Sequence, residues 1–144
     1  MRVNLPVTAD EYRLGPDQSI VSKTDLQGNI TYVNHGFLDA SQFTEEELLG
    51  APQNIVRHPD MPAAAFADLW RTLKSGLPWT GVIKNRRKHG GYYWVLANVT
   101  PIKEAGRAVG YMSVRTRPSD AQIAQAERAY RAINGGARGL ALRQ

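Results

Sequence analysis

The chain has 144 residues, 42% hydrophobic and 22% charged, a balance that suits one globular domain with a terminal extension and excludes general disorder. It contains no cysteine, which removes disulfides, thiolate metal sites, iron–sulfur clusters and cysteinyl adducts, and fits a reducing cytoplasm. The net charge of +5 admits an anionic partner: nucleic acid, an anionic membrane face or a phosphorylated ligand.

Residues 1–18 have no apolar signal core and read as a mobile or loosely docked cap. "SIVSKT" (19–24) predicts a strand in which Ile20 and Ser22 alternate with Val21 and Lys23. "DLQGN" then turns the chain into a second strand, "ITYV" (30–33), completing a hairpin. Asn34 is placed to cap a short helix holding Phe37 and Leu38. Thr44 and Glu47 have capping-box spacing for another helix, which Gly50 closes before Pro52.

An irregular segment, "NIVRHPDMP" (54–62), sets Arg57, His58 and Asp60 between apolar neighbours and two prolines. Pro62 suits the first position of a longer helix, in which Phe66, Leu69, Trp70 and Leu73 form one apolar stripe. Gly76 and Pro78 end it. Three strands follow: 79–88, 92–102 and 108–117, turning at "HGG" and "KEAGR". Ser119 and Gln122 open a last helix, about 119–134, with Ile123, Ala126, Tyr130 and Ile133 on one stripe and "NGGARG" as its stop. Two strands, short helices, one longer helix and three strands predict an α+β fold. Its five-stranded antiparallel sheet is covered on one face by helices, enclosing a pocket. The domain is expected over 19–117, after the cap at 1–18 and before a connector helix and tail at 118–144. No apolar run is long enough to cross a bilayer, so this segment is expected to be soluble and not to insert itself.

The motifs "TDLQGNITYVN", "FTEEELLG", "WTGVIKNRRKHGGYYWVLANVTPI" and "GYMSVRTR" resemble a PAS domain. "VRHPDMPAAAFADLW", joined to "WTGVIKNRRK" and "YYWVLANVTP", resembles the N-terminal sensory domain of bacterial aerotaxis receptors over residues 18–134. That resemblance implies non-covalently bound FAD, redox or oxygen sensing and no enzymatic activity. It further implies a cytoplasmic domain that signals to HAMP-type and signalling regions of the same receptor, itself anchored in the inner membrane. A homodimer is compatible with this reading. Likeness to flavin-binding light sensors is partial, because Ile55 follows Asn54 where those carry their reactive cysteine.

The cofactor-binding candidates follow from residue chemistry beside this resemblance. Arg57 offers a planar fork for a phosphate or a carbonyl–imide edge, or else pins the loop through Asp60. His58 could meet the adenine or ribose end, or serve structurally, and Asp60 could position either neighbour. Trp70 is a core residue or a stacking partner for the flavin ring. Asn85 breaks a strand pattern with an amide that both donates and accepts, as a flavin pyrimidine edge requires. Tyr111, Ser113 and Arg115 share one strand face. Inward, Arg115 would favour a negatively charged reduced ring; outward, the reading preferred from sequence, it is solvated. Asn34 and Phe66 complete the candidates.

Two competing readings use the same fold. One is a haem gas sensor with His58 or another histidine as axial ligand. The other is a cofactor-free interaction module whose outer sheet face, marked by Trp94 and Asn98, docks a neighbouring domain. His35, His58 and His89 lack close metal spacing, and neither a GxGxxG unit nor a GxSxG elbow occurs. "KNRRKH" (84–89) reads as a solvated hairpin end rather than a nucleic-acid site.

Overall fold

A computed structural model describes residues 4–143, with side chains described to residue 135. Five strands, β1 (Ile20–Thr24), β2 (Ile30–Val33), β3 (Trp79–Arg86), β4 (Tyr92–Glu104) and β5 (Arg107–Thr116), form one antiparallel sheet in the order β2-β1-β5-β4-β3. Between β2 and β3 run α1 (His35–Ser41), α2 (Glu45–Leu48), a 3-10 turn (Gln53–Val56) and α3 (Ala63–Lys74). The last helix, α4, covers Asp120–Arg143. This is the expected α+β architecture, with β1 inserted beside β5.

That insertion fixes which residues share a face. Paired residues in an antiparallel sheet point the same way. Ile20 lies opposite Arg115, Ser22 opposite Ser113 and Thr24 opposite Tyr111; Ala97 and Val99 continue the rows on β4. The segment from α1 to α3 crosses this face and makes it the inner one.

The local signals operate as chemistry demands. The Asn34 side chain accepts from Phe37 N at 3.1 Å, and the Thr44–Glu47 and Ser119–Gln122 pairs each form both bonds of a capping box. Pro62 stands one position earlier than expected, as the N-cap of α3. The β4–β5 turn narrows to Ala105 and Gly106, both with positive φ (50° and 79°), the tight hairpin whose twist matches its strands.

Four expectations are corrected. Residues 4–18 are docked rather than loose. Thr8 N donates to Gly90 O and Tyr12 N to Tyr92 O, each at 2.8 Å, and Leu14 is only 2% exposed. Helix α4 continues through Gly135, because a stop needs left-handed backbone such as Gly76 adopts (φ 87°), and Gly135 does not adopt it. On α4, Ile123, Ala126 and Tyr130 are half-buried, but Ile133 is 44% exposed. At about 100° per residue Asn134, not Ile133, falls back on the stripe. Trp94, expected on an open docking face, is 5% exposed in a crevice it shares with Leu14, Pro118 and Ile123. Asn98 does face solvent, accepting from Thr80 Oγ1 at 2.8 Å.

Candidate functional site

A cavity of about 360 Å³ lies between the inner face of the sheet, α3 and the 3-10 turn, within the size range of small-molecule sites. Its walls are mainly apolar. The α3 stripe of Phe66, Leu69, Trp70 and Leu73 faces Ile83, Ala97 and Val99 of the sheet. Trp70 meets Tyr111 edge to face, with ring centroids 5.4 Å apart and planes at 76°, a favourable aromatic geometry.

Arg57 enters this cavity from the end of the 3-10 turn. Its N–H donates to Asn54 O at 3.0 Å, it bridges to Asn85 on β3, and Asn4 Nδ2 donates to its carbonyl at 2.9 Å. The guanidinium lies over the Phe66 ring at 4.2 Å, and burial lowers its pKa. Among the described residues no salt bridge joins Arg57 to Asp60; Arg57 itself is held through its main-chain groups. Asn85 is 5% exposed and also lines the cavity.

Arg115 points inward, against the preferred expectation from sequence. It is 4% exposed, and its Nη2 donates to Ser22 Oγ at 2.7 Å. The guanidinium lies 4.6 Å from the Phe37 ring centroid. Burial pulls it down to about 10, with Tyr93 opposing, so it stays charged at neutral pH. Alternation predicts that Tyr111, Ser113 and Arg115 share a face; the pairing of β5 with β1 under the helices decides that this face is covered.

Three candidates lie elsewhere. Arg57 has extended backbone (φ −69°, ψ 125°), so the next side chain, His58, projects to the opposite side. His58 is 3% exposed; its Nδ1 accepts from Asp60 N at 3.0 Å and its ring meets Tyr92 edge-on. Burial beside Lys84 lowers His58 to about 4. Asp60 is exposed and pairs with Lys84 Nζ at 3.0 Å; its carbonyl accepts from Asn134 Nδ2 of α4 at 2.9 Å. The polar atoms of Asn34 are committed to Val21 N, Ser19 O and the α1 cap. The charged knot is therefore two-sided: Arg57 serves the cavity, while His58 meets β4 and Asp60 joins the loop to β3 and α4.

The sequence reading missed Ser22, Thr24 and Gln53, all on the lining. Alternation with buried Ile20 marks Ser22 and Thr24 as inward; Gln53 sits in an irregular turn with no period to reveal it. Four buried side-chain atoms on lining residues have no hydrogen-bond partner: Thr24 Oγ1, Gln53 Nε2, Arg57 Nη2 and Arg115 Nε. Each such atom costs about 1–3 kcal/mol when left unpaired. On residues around a mainly apolar cavity, they offer hydrogen bonds to a ligand that carries acceptor atoms. Among the described residues no group of three His, Asp or Glu could hold a metal ion, and no helix is long and apolar enough to cross a membrane.

Residues 30–115 match the family model described as PAS fold. The chain is 52% identical over 130 residues to the aerotaxis receptor of Escherichia coli (strain K12), covering 90% of this chain and 26% of that protein. It therefore spans about a quarter of that relative's length. The dark structure of the blue-light photoreceptor Aureochrome1 LOV superposes with a TM-score of 0.69 at 21% identity, over 83% of this chain and 88% of that one. A Light-Oxygen-Voltage domain whose mechanism was probed with a flavin analogue gives 0.67 at 22% identity, over 83% and 89%. Sequence motifs, sheet order and family match converge, and the chain belongs to the PAS family.

Proposed function

We propose that this PAS domain is the sensory domain of an aerotaxis receptor. It holds FAD non-covalently in the cavity and reports redox state, and through it oxygen or energy supply, without catalysing a reaction. The observation that carries this reading is the set of unpartnered donors, Arg57 Nη2, Gln53 Nε2 and Arg115 Nε, on an otherwise mainly apolar cavity. Similarity to an aerotaxis receptor and to a domain studied with a flavin analogue supports it. The choice of FAD over FMN rests on the resemblance in the sequence and on Arg57, whose fork suits a pyrophosphate as well as a carbonyl edge.

When bound, the flavin supplies reversible electron acceptance. Arg57 and Arg115 hold positive charge beside it and favour the negative charge that reduction adds. Asn85 donates and accepts on one edge, while Trp70 and Tyr111 form the aromatic wall and keep water from the ring. Three residues beyond Arg57, the Asp60 carbonyl receives Asn134 of α4. A shift of Arg57 is thus felt at the helix that leads onward. The partners are the HAMP-type and signalling regions of the same receptor, which is anchored in the inner membrane with this domain on the cytoplasmic side. A homodimer is compatible with this arrangement.

Haem is less well served, because no histidine lines the cavity and His58 lies outside it with Nδ1 occupied. A cofactor-free module would leave the buried donors unpaired. Acid precipitation of the purified yellow protein, followed by chromatography of the supernatant, tests the reading. FAD is expected; FMN, haem or a colourless protein that takes up no flavin overturns it.

A further inference from the structure

We propose that Ser22 is a positioning residue for the bound flavin: it relays a hydrogen-bond chain from Arg115 to Gln53 that aims the Gln53 amide N–H into the cavity as a donor. The proposal rests on the flavin reading above and names residues of that site that the sequence does not single out.

The direction of the chain follows from chemistry. Arg115 Nη2 lies 2.7 Å from Ser22 Oγ. A guanidinium has donors only, so the serine oxygen accepts. The one hydroxyl proton of Ser22 is then directed to Gln53 Oε1, 3.2 Å away. With its oxygen engaged, the Gln53 carboxamide turns its Nε2 the other way, where it is buried without a partner on a residue that lines the cavity. Arg115 keeps Nε in the same state. One chain from β5 through β1 to the 3-10 turn thus leaves two donors, and no acceptor, unpaired on two residues that line one cavity.

Burial makes Ser22 hard to replace. It is 1% exposed and Arg115 4% exposed, so bulk water does not substitute for the missing hydroxyl, and a charged first donor polarises the bonds after it. The relay selects an acceptor atom of the ligand and rejects a donor N–H at the same place, because two donors facing each other would both be left unpaired. Asn85, able to donate and accept, serves the part of the edge where both are needed.

The test uses Ser22→Ala, Ser22→Thr, Gln53→Leu and Gln53→Glu. Without flavin, the Gln53 side-chain amide is followed by nitrogen-15 NMR. Ser22→Ala is expected to shift and broaden its signals, and Ser22→Thr, which keeps the hydroxyl, to restore them. With FAD, Ser22→Ala is expected to weaken affinity about twofold to tenfold, the range for one neutral hydrogen bond, and to raise a flavin carbonyl stretching frequency; Ser22→Thr reverses both. Gln53→Glu, which places an acceptor and a charge at this position, is expected to lose more affinity than Gln53→Leu. A yellow protein whose Gln53 signals, affinity and carbonyl frequency ignore Ser22→Ala overturns the relay alone. A parent protein that binds no flavin overturns the flavin reading and, with it, the role of the relay. Should Ser22→Ala fail to fold, Gln53→Leu carries the test, since it leaves the Arg115–Ser22 bond in place: an unchanged carbonyl frequency there overturns the proposal.

Discussion

Replacing Arg57 by alanine should separate ligand binding from folding. In the unliganded protein, Arg57 Nη2 is buried without a partner, and its removal relieves a penalty of about 1–3 kcal/mol. The same change removes the guanidinium from the Phe66 ring, 4.2 Å away, a contact worth about 0.5–2 kcal/mol. These oppose each other. The bonds that hold the loop, from Arg57 N to Asn54 O and from Asn4 Nδ2 to Arg57 O, involve its main chain and survive. Unliganded stability should therefore fall by no more than about 1 kcal/mol and could rise by up to about 2.5 kcal/mol. The charge-assisted contact to flavin is worth about 1.5–3 kcal/mol, so affinity should fall roughly tenfold to 150-fold. Urea unfolding of the apoprotein and a fluorescence titration with FAD measure the two quantities on one preparation. A variant that is clearly less stable yet binds FAD as tightly as the parent would refute the reasoning and leave Arg57 as a packing residue.

Four further outcomes are expected. His58, held near 4 by burial against an ordinary 6.5, takes up its proton in the unfolded chain first; its contribution, about 3 kcal/mol, is full above pH 6.5 and lost as pH falls through 4. Urea midpoints of parent and His58→Asn between pH 7.5 and 4.5 should show a shallower acid loss in the variant; equal slopes exclude His58 as the cause. Tyr130→Phe removes the hydroxyl that donates to Val82 O and should loosen α4 by about 1 kcal/mol, seen as faster amide exchange in residues 124–134 with the sheet unaffected. Gly110→Ala would place a Cβ 2.2 Å from Thr24 O, separating β1 from β5 at a cost of about 1–3 kcal/mol; a parent-like thermal midpoint would contradict that packing. Arg115→Leu removes a buried positive charge from the cavity wall and should lower the flavin midpoint potential by roughly 30 mV or more; a dye-coupled titration that finds no shift places this charge out of reach of the ring.

The frame of the domain was readable because near-neighbour chemistry decides it. Alternation with period two located β1 and grouped Tyr111, Ser113 and Arg115 on one face, and the "DLQGN" turn located β2. Hydroxyl and carboxamide caps located the starts of α1, α2 and α4, since each satisfies N–H groups that the helix leaves unpaired. The apolar stripe of α3 identified Phe66 and Trp70, and both line the cavity. These features depend on residues within a few positions of each other, so the order along the chain is enough. The resemblance of the joined motifs added the family, and residues 30–115 match it.

What the chain order could not reach was the choice between equivalent sides. Alternation says that Arg115 shares a face with Tyr111, but not that β1 will pair with β5 and the helices will cover that face. The knot reads as one motif in sequence, yet extended backbone at Arg57 sends it and His58 to opposite sides, and α4, over seventy positions later, returns to meet the Asp60 carbonyl. Trp94 alternates outward, and only the docked N-terminal segment and the start of α4 bury it. Gln53 has no periodic signal; it joins Ser22 and Arg115 through contacts spanning 31 and 93 residues. Such contacts form when distant segments pack, and burial, which turns an unpaired donor into a ligand-seeking group, exists only after that packing is complete.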